Sequence, residues 1–204
     1  MKICQLKKFQ SLARCLVSLT VILLFFSAAI AIASDSLRTT TIKDLSGNPL
    51  ELKHDPTIKA KVFIFILHDC PIANQYQPAI RRLADKFKNQ GVRFHLIHAD
   101  PDTTEAQAQK HAFDYQIESP VYLDPTHELV RQFEATVTPE VVVLDATNKK
   151  IYQGRIDNLY FKLGRKRFRP TEHDLADALT ALLENKPIKR EKTTAIGCYI
   201  PPLS

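Results

Sequence analysis

Two apolar runs, each joined to a conformationally special residue, constrain the fold of this chain most. Ile64-Phe65-Ile66-Leu67-His68-Asp69-Cys70-Pro71-Ile72-Ala73-Asn74 carries an apolar stretch into a cysteine and a proline. Thr136-Val137-Thr138-Pro139-Glu140-Val141-Val142-Val143-Leu144-Asp145 sets a Thr-Pro bond directly before a second apolar stretch. A cysteine at the mouth of a helix sits in a partly positive field, which favours thiolate over thiol. A cis peptide costs least at X–Pro, so Thr138–Pro139 is a candidate cis bond leading into a central strand.

The chain has 204 residues, enough for one domain with a sizeable core and additions. Its first segment reads differently. Lys2, Lys7, Lys8 and Arg14 precede a nearly unbroken apolar run over residues 16–31, and Ala31-Ile32-Ala33 is a small-x-small cleavage pattern. Residues 1–33 are expected to be a signal peptide cut near Ala33–Ser34, with Ala31 as the other site. Left uncleaved, the same run would anchor the chain in a membrane. Neither Cys4 nor Cys15 follows the apolar run, which argues against a lipoprotein.

Without that segment the balance of charge changes. The formal net charge of +6 loses four basic residues and no acidic ones, leaving +2. A near-neutral chain offers no argument for nucleic acid. Of the 4 cysteines, only Cys70 and Cys198 lie beyond residue 33, and no Cys-x-x-Cys occurs. A pair of cysteines suits an oxidising compartment, either periplasmic or extracellular.

The remaining pattern alternates strand and helix. Residues 36–55 show weak alternation and a Ser46-Gly47-Asn48-Pro49 turn, predicting a leading hairpin. Residues 60–67 read as a strand covered on both faces. Tyr76, Ile80, Leu83, Ala84 and Phe87 predict a helix over 72–89, with Pro78 marking a kink or a late start. A strand over 92–98, a helix over 104–114, a short strand over 120–123 and a helix over 125–133 follow. Residues 141–144 and 151–154 form an antiparallel pair. A closing helix over 171–183 is capped by Thr171 and presents Leu175, Ala178, Leu179 and Leu182 on one face. The domain is expected to span 34–186, with a tail over 187–204 carrying Cys198. Such an order makes an α/β sandwich.

With its helix-mouth cysteine and its Thr-Pro strand in this order, the chain resembles the thioredoxin fold. The extra strand and helix within 100–124 and the leading hairpin are similar to the redoxin group, the alkyl hydroperoxide reductase and thiol-specific antioxidant relatives. The likeness covers roughly residues 37–183. A narrower redoxin subgroup is resembled through Cys70-Pro71-Ile72-Ala73-Asn74, Thr138-Pro139-Glu140, Gly154-Arg155-Ile156-Asp157 and Gly197-Cys198-Tyr199-Ile200. The resemblance implies a thioredoxin-like three-layer sandwich with a central mixed sheet, an N-terminal hairpin and an inserted strand and helix. Two departures stand out. Peroxiredoxins place Thr or Ser three residues before the reactive cysteine and Pro seven before it, where this chain has Leu67 and Phe63. Dithiol oxidoreductases carry a second cysteine three residues on, where Ala73 stands.

Cys70 is therefore the expected nucleophile, with Cys198 resolving a sulfenic acid or a mixed disulfide. Arg155, on the hairpin after the proline strand, is expected to bring positive charge to the same pocket. Pro139, Thr138, Asp69, Pro71 and Asn74 are expected to shape the pocket. A protein thiol or disulfide, or a small peroxide, is the expected substrate, and no cofactor is called for. Two other readings stay open. One is a binding module with a structural Cys70–Cys198 disulfide. The other is a metal carrier, for which His68, His95 and His98 are weak ligand candidates beside Cys70. His54, His111, His127 and His173 read as surface or loop residues, and Glu140 as a surface or hydrogen-bonded carboxylate. Asp69 could relay a proton near Cys70 but reads first as a turn or helix-entry cap. The basic cluster Lys162, Arg165, Lys166, Arg167 and Arg169 reads as a solvated loop, with anionic lipid or an acidic partner as its second reading.

Overall fold

A computed structural model of the chain describes residues 42–50, 52 and 55–203. They fall within the second of two compact units, residues 39–204. The first unit, residues 1–38, and with it the expected signal peptide, lies outside the described residues.

The apolar run after Lys59 becomes β1 (Ala60–Ile66), buried at all seven positions. Burying both faces of a strand requires layers on either side, and β1 lies at the centre of a five-stranded sheet. Its neighbours are β2 (Val92–His98) and β5 (Glu140–Asp145); β3 (Val121–Leu123) and β6 (Lys150–Gly154) form the edges, in the order β3-β2-β1-β5-β6. β1, β2 and β3 are mutually parallel, β5 runs antiparallel to β1, and β6 runs antiparallel to β5. The register pairs Phe65 with Glu140. That pairing sets the end of β1 beside the start of β5, so the Cys70 turn and the Thr138–Pro139 bond meet at one end of the sheet.

Helix α1 (Pro71–Phe87) buries Ile72, Ala73, Tyr76, Ile80 and Phe87 and runs unbroken through Pro78, which is exposed. Each such large apolar side chain contributes about 1.5–3 kcal/mol on burial. α2 (Glu105–Asp114) starts from a capping box between Thr104 and Gln107. α3 (Glu128–Phe133) begins later than the pattern predicts. The Asp124 carboxylate accepts the N–H groups of Glu128, Leu129 and Val130, supplying the cap from outside the helix.

α4 (Asp174–Leu183) is likewise shorter than predicted, and Thr171 does not cap it. Thr171 is held instead by Asn158, whose Oδ1 accepts its N–H at 2.8 Å and whose Nδ2 donates to its hydroxyl at 2.9 Å. Leu175, Ala178 and Leu179 are buried as expected, while Leu182 is half-buried. In the leading segment, Lys43 bridges to Pro49 around a turn, and Asp44 bridges to Tyr122 of β3. Residues before 42 of the expected hairpin lie outside the described residues.

Two small sheets complete the described chain. β7 (Tyr160–Lys162) and β8 (Arg165–Lys166) form a hairpin carrying the basic cluster, so that segment is not an irregular loop. Lys166 reaches Gln75 of α1 at 2.8 Å, and Phe161, Leu163 and Phe168 are exposed. β4 (Val137–Thr138) pairs antiparallel with β9 (Cys198–Tyr199) from the tail. Among the described residues, no helix is long and apolar enough to cross a membrane.

Candidate active site

Cys70 is itself the N-cap of α1, with extended backbone at φ −76° and ψ 109°. Its Sγ accepts the Ala73 N–H at 3.4 Å, and Pro71 occupies the first helical position. Proline lacks a backbone N–H and has a helix-compatible φ, so it starts the helix without loss. Asp69 is exposed and does not cap the helix; the cysteine sulfur takes that place.

The Thr138–Pro139 peptide is cis. The Cys70 thiol donates to the Thr138 carbonyl at 3.2 Å, so the two sequence signatures touch. β9 lies along the other side of Thr138, with Cys198 as its register partner. The Cys198 thiol is close enough to act on Cys70, and both cysteines are free. Cys70 is buried and Cys198 half-buried.

The surroundings push the two thiols in opposite directions. Burial, the largest influence on Cys70, disfavours its thiolate. Donors available to its thiolate, from Cys198, the Thr138 side chain and the Ala73 N–H, outweigh it and hold Cys70 below the usual thiol range. For Cys198, burial, its bond to Cys70 and the nearby Cys70 charge all act upward, so its proton is retained. The pair therefore releases its first proton from Cys70.

Thr138 contributes twice. Its carbonyl receives the Cys70 thiol proton, and its Oγ1 is buried without a partner. A hydroxyl left idle beside a thiol gains an acceptor when that thiol ionises. Leu67, at the place of the peroxiredoxin hydroxyl, is buried and supplies none.

Arg155 does not act as expected. Its guanidinium pairs with Glu172 and, at 2.7 Å, with the fully buried carboxylate of Asp174. Arg190 joins both carboxylates at 3.0 Å. The groups that lower the Cys70 thiol are hydrogen-bond donors of the chain, and Arg155 is not among them. Asp157, the last residue of the Gly-Arg-Ile-Asp segment, instead accepts from the Tyr76 hydroxyl at 2.7 Å. Tyr76 lies against Tyr160 at a ring separation of 5.9 Å, and the Cys70 charge acts on Tyr160. Tyr160 escaped the sequence reading because nothing local marks a tyrosine on a hairpin as facing a cysteine.

Asn74 links the site to a buried histidine pair. Its Nδ2 donates to the His68 carbonyl at 2.9 Å, and its Oδ1 meets His111 Nε2 at 2.8 Å. His111 Nδ1 lies 3.3 Å from His98 Nε2. His111 and His127 are thus interior residues, not surface ones; His127 Nε2 meets the Ala99 carbonyl at 2.8 Å. His173 is exposed, whereas His54 lies outside the described residues. Glu140 is buried and accepts from the Thr136 N–H and from Gln153. Burial, then the neighbouring histidines, pushes His98 down to about 3. His111 falls to about 4, through burial first and His68 second. The rings of His68 and His98 are 6.5 Å apart. Among the described residues, no three His, Cys, Asp or Glu side chains gather around a possible ion.

Comparison with known proteins agrees with this architecture. A structure of an uncharacterised conserved protein from Geobacillus kaustophilus shares 26% identity, covering 79% of this chain and 87% of that one, at a TM-score of 0.70. A hypothetical protein of Sinorhizobium meliloti 1021 shares 23% identity over 79% and 89% of the two chains, at 0.69. A putative thiol:disulfide interchange protein DsbE from Chlorobium tepidum shares 20% over 71% and 92%, at 0.56. The fold is thioredoxin-like, a mixed α/β sandwich. Comparison with curated proteins returns no match. Residues 33–153 match the AhpC/TSA family, and the chain belongs to that family.

Proposed function

We propose that the protein is a thiol-dependent redox protein in which Cys70 attacks a disulfide or a peroxide and Cys198 resolves the product. The observation that carries this reading is the pairing of Cys198 with Thr138 across β4 and β9, with the Thr138 carbonyl accepting the Cys70 thiol at 3.2 Å. With a peroxide, the Cys70 thiolate takes one oxygen, the O–O bond breaks and an alcohol or water leaves. Cys198 then attacks the sulfenic sulfur, forming the Cys70–Cys198 disulfide and releasing water. With a disulfide, the thiolate forms a mixed disulfide and expels one thiolate, and Cys198 expels the second. An external dithiol resets the pair.

The raised pKa of Cys198 is no obstacle to the second step. It arises partly from the Cys70 charge. Once Cys70 is a sulfenic acid or a mixed disulfide, that charge is gone and Cys198 ionises more readily. Tail and domain need only a local rearrangement, because the two side chains already meet.

An exported location is part of the proposal. It rests on the basic-then-apolar start of the sequence and the Ala31-Ile32-Ala33 pattern. The thioredoxin-like fold, shared with the DsbE structure of Chlorobium tepidum, is consistent with chemistry at Cys70.

Treatment of the reduced protein with diamide or hydrogen peroxide tests the assignment. Loss of two hydrogens by mass is expected in the native chain, and a trapped adduct on Cys70 in Cys198→Ala. If neither cysteine reacts, and substitution of either only lowers the melting temperature, the proposal fails. The burial of Cys70, at 1% exposure, favours a second reading, a static disulfide in a non-enzymatic module. A redox pair reopens with dithiothreitol in the folded protein, whereas a structural bond opens only on unfolding.

A further inference from the structure

The tail is fastened to the domain at two stations. At the first, Gln153 donates its N–H to the Glu191 carbonyl at 2.9 Å, and Thr193 donates to the Gln153 carbonyl at 3.0 Å. Thr193 Oγ1 also meets the Tyr152 hydroxyl at 2.7 Å and receives the Arg155 N–H at 3.1 Å. Gly154 permits this approach: its φ is +147°, and a Cβ there would collide with the Thr193 backbone. At the second station β9 lies antiparallel to β4, and Ile200 donates to the Thr136 carbonyl at 3.1 Å. Gly197 lies so close that a Cβ would collide with the Thr138 carbonyl.

The second station matters because of its neighbour. β4 ends at Thr138, whose carbonyl receives the Cys70 thiol proton. A strand edge is where an extended polypeptide adds, matching its backbone groups to the free ones. Here the edge beside the nucleophile is already paired, by the chain's own residues 198–200. Cys198 stands opposite Thr138, the place that the sulfur of an incoming polypeptide would take.

We infer that β9 is a built-in occupant of a polypeptide-docking edge, so that the docked tail confines Cys70 to compact oxidants and turns away extended polypeptide disulfides. The chemistry rests on the function proposed above; the exclusion rests on the edge being filled. Compact and polypeptide disulfides undergo the same step: the Cys70 thiolate attacks one sulfur, the S–S bond breaks and a thiolate leaves. They differ in reach alone. A compact oxidant needs only the side chain of half-buried Cys198 to shift. A polypeptide needs the backbone pairing of β9 to open. An attached tail competes at an effective concentration on the order of millimolar, so a polypeptide at micromolar concentration loses.

Two substitutions lift the strand and retain Cys198. Gly197→Val adds atoms where the Thr138 carbonyl lies, and Ile200→Pro removes the N–H given to Thr136. Reduced wild type and both variants, each checked for cooperative unfolding, are reacted with hydroxyethyl disulfide and with an unfolded polypeptide carrying one disulfide. Because lifting β9 also alters the acidity of Cys70, the measure is the ratio of the polypeptide rate to the hydroxyethyl disulfide rate, which is expected to rise about 10-fold or more in the variants. An equal ratio in wild type and variants overturns the inference. A second arm needs no thiol chemistry. A synthetic peptide copying residues 194–203, with serine for cysteine, is expected to bind the variants and not wild type. If the peptide binds wild type equally, or binds no variant, the edge is not the docking site. If the peptide behaves as expected while no disulfide reacts with any form, the exclusion stands and the proposed redox function falls.

Discussion

Thr138 and Cys198 face one another across an antiparallel pair, and the Thr138 carbonyl accepts the Cys70 thiol proton at 3.2 Å. Cys70 is therefore enclosed by groups from three segments far apart in the chain: a helix start, a proline strand and the tail. Each supplies a donor or an acceptor, and none supplies a formal positive charge.

Thr138→Val removes a buried hydroxyl that has no partner while Cys70 carries its proton. Donors to the thiolate favour it, so their loss raises the thiol pKa, here by about one unit. The same change leaves stability of the reduced protein equal or higher by up to about 1 kcal/mol, since an unsatisfied polar atom is lost. Alkylation rate against pH and urea denaturation measure the two effects, which are expected to move apart.

Arg155→Gln leaves the buried carboxylate of Asp174 facing Arg190 alone. A loss of about 2 kcal/mol in stability is expected, because an under-compensated buried charge is costly. The Cys70 alkylation rate is expected to stay within about 2-fold, since Glu172 and Asp174 neutralise the guanidinium charge. A large fall in reactivity without loss of stability would restore Arg155 to the site.

Stability is expected to fall as pH drops from about 6.5 toward 4. His95 and His111 are pushed down to about 4 and His98 to about 3, all from an ordinary 6.5. Burial is the main cause in each; Lys61 and Arg93 add to it at His95. The folded state keeps these rings neutral while the unfolded chain protonates, so the unfolded state binds more protons across that window. Each ring contributes a slope of roughly 1 kcal/mol per pH unit. His95 stacks on Phe63 at 5.2 Å and its Nδ1 has no partner, so His95→Phe should remove its share of the slope. Denaturant midpoints between pH 7 and pH 4 would show it; an unchanged slope contradicts the assignment.

Oxidation of the pair is expected to raise the unfolding free energy by up to about 5 kcal/mol, since the bond would close a long loop. The increase should appear as a higher melting temperature after diamide and be absent in Cys198→Ala. No shift on verified oxidation would mean that the bond strains the docked tail.

Local chemistry made much of this protein legible from its residues. The run before Cys70, the Thr-Pro bond and the spacing of Tyr76, Ile80 and Phe87 each depend on a few neighbours along the chain. Strand, helix and the cis bond followed from them. What no local pattern carries is the partner of a charge or a donor. Arg155 read as an activator because its charge was visible, whereas the carboxylates that neutralise it lie on a later turn and helix. Thr171 and His111 were misplaced for the same reason: Asn158 and Asn74, distant in sequence, decide where they point. Residues alone determined which sulfur heads a helix; only the packed structure decided that a tail strand covers it, because strand pairing joins backbone groups irrespective of the side chains that could announce it.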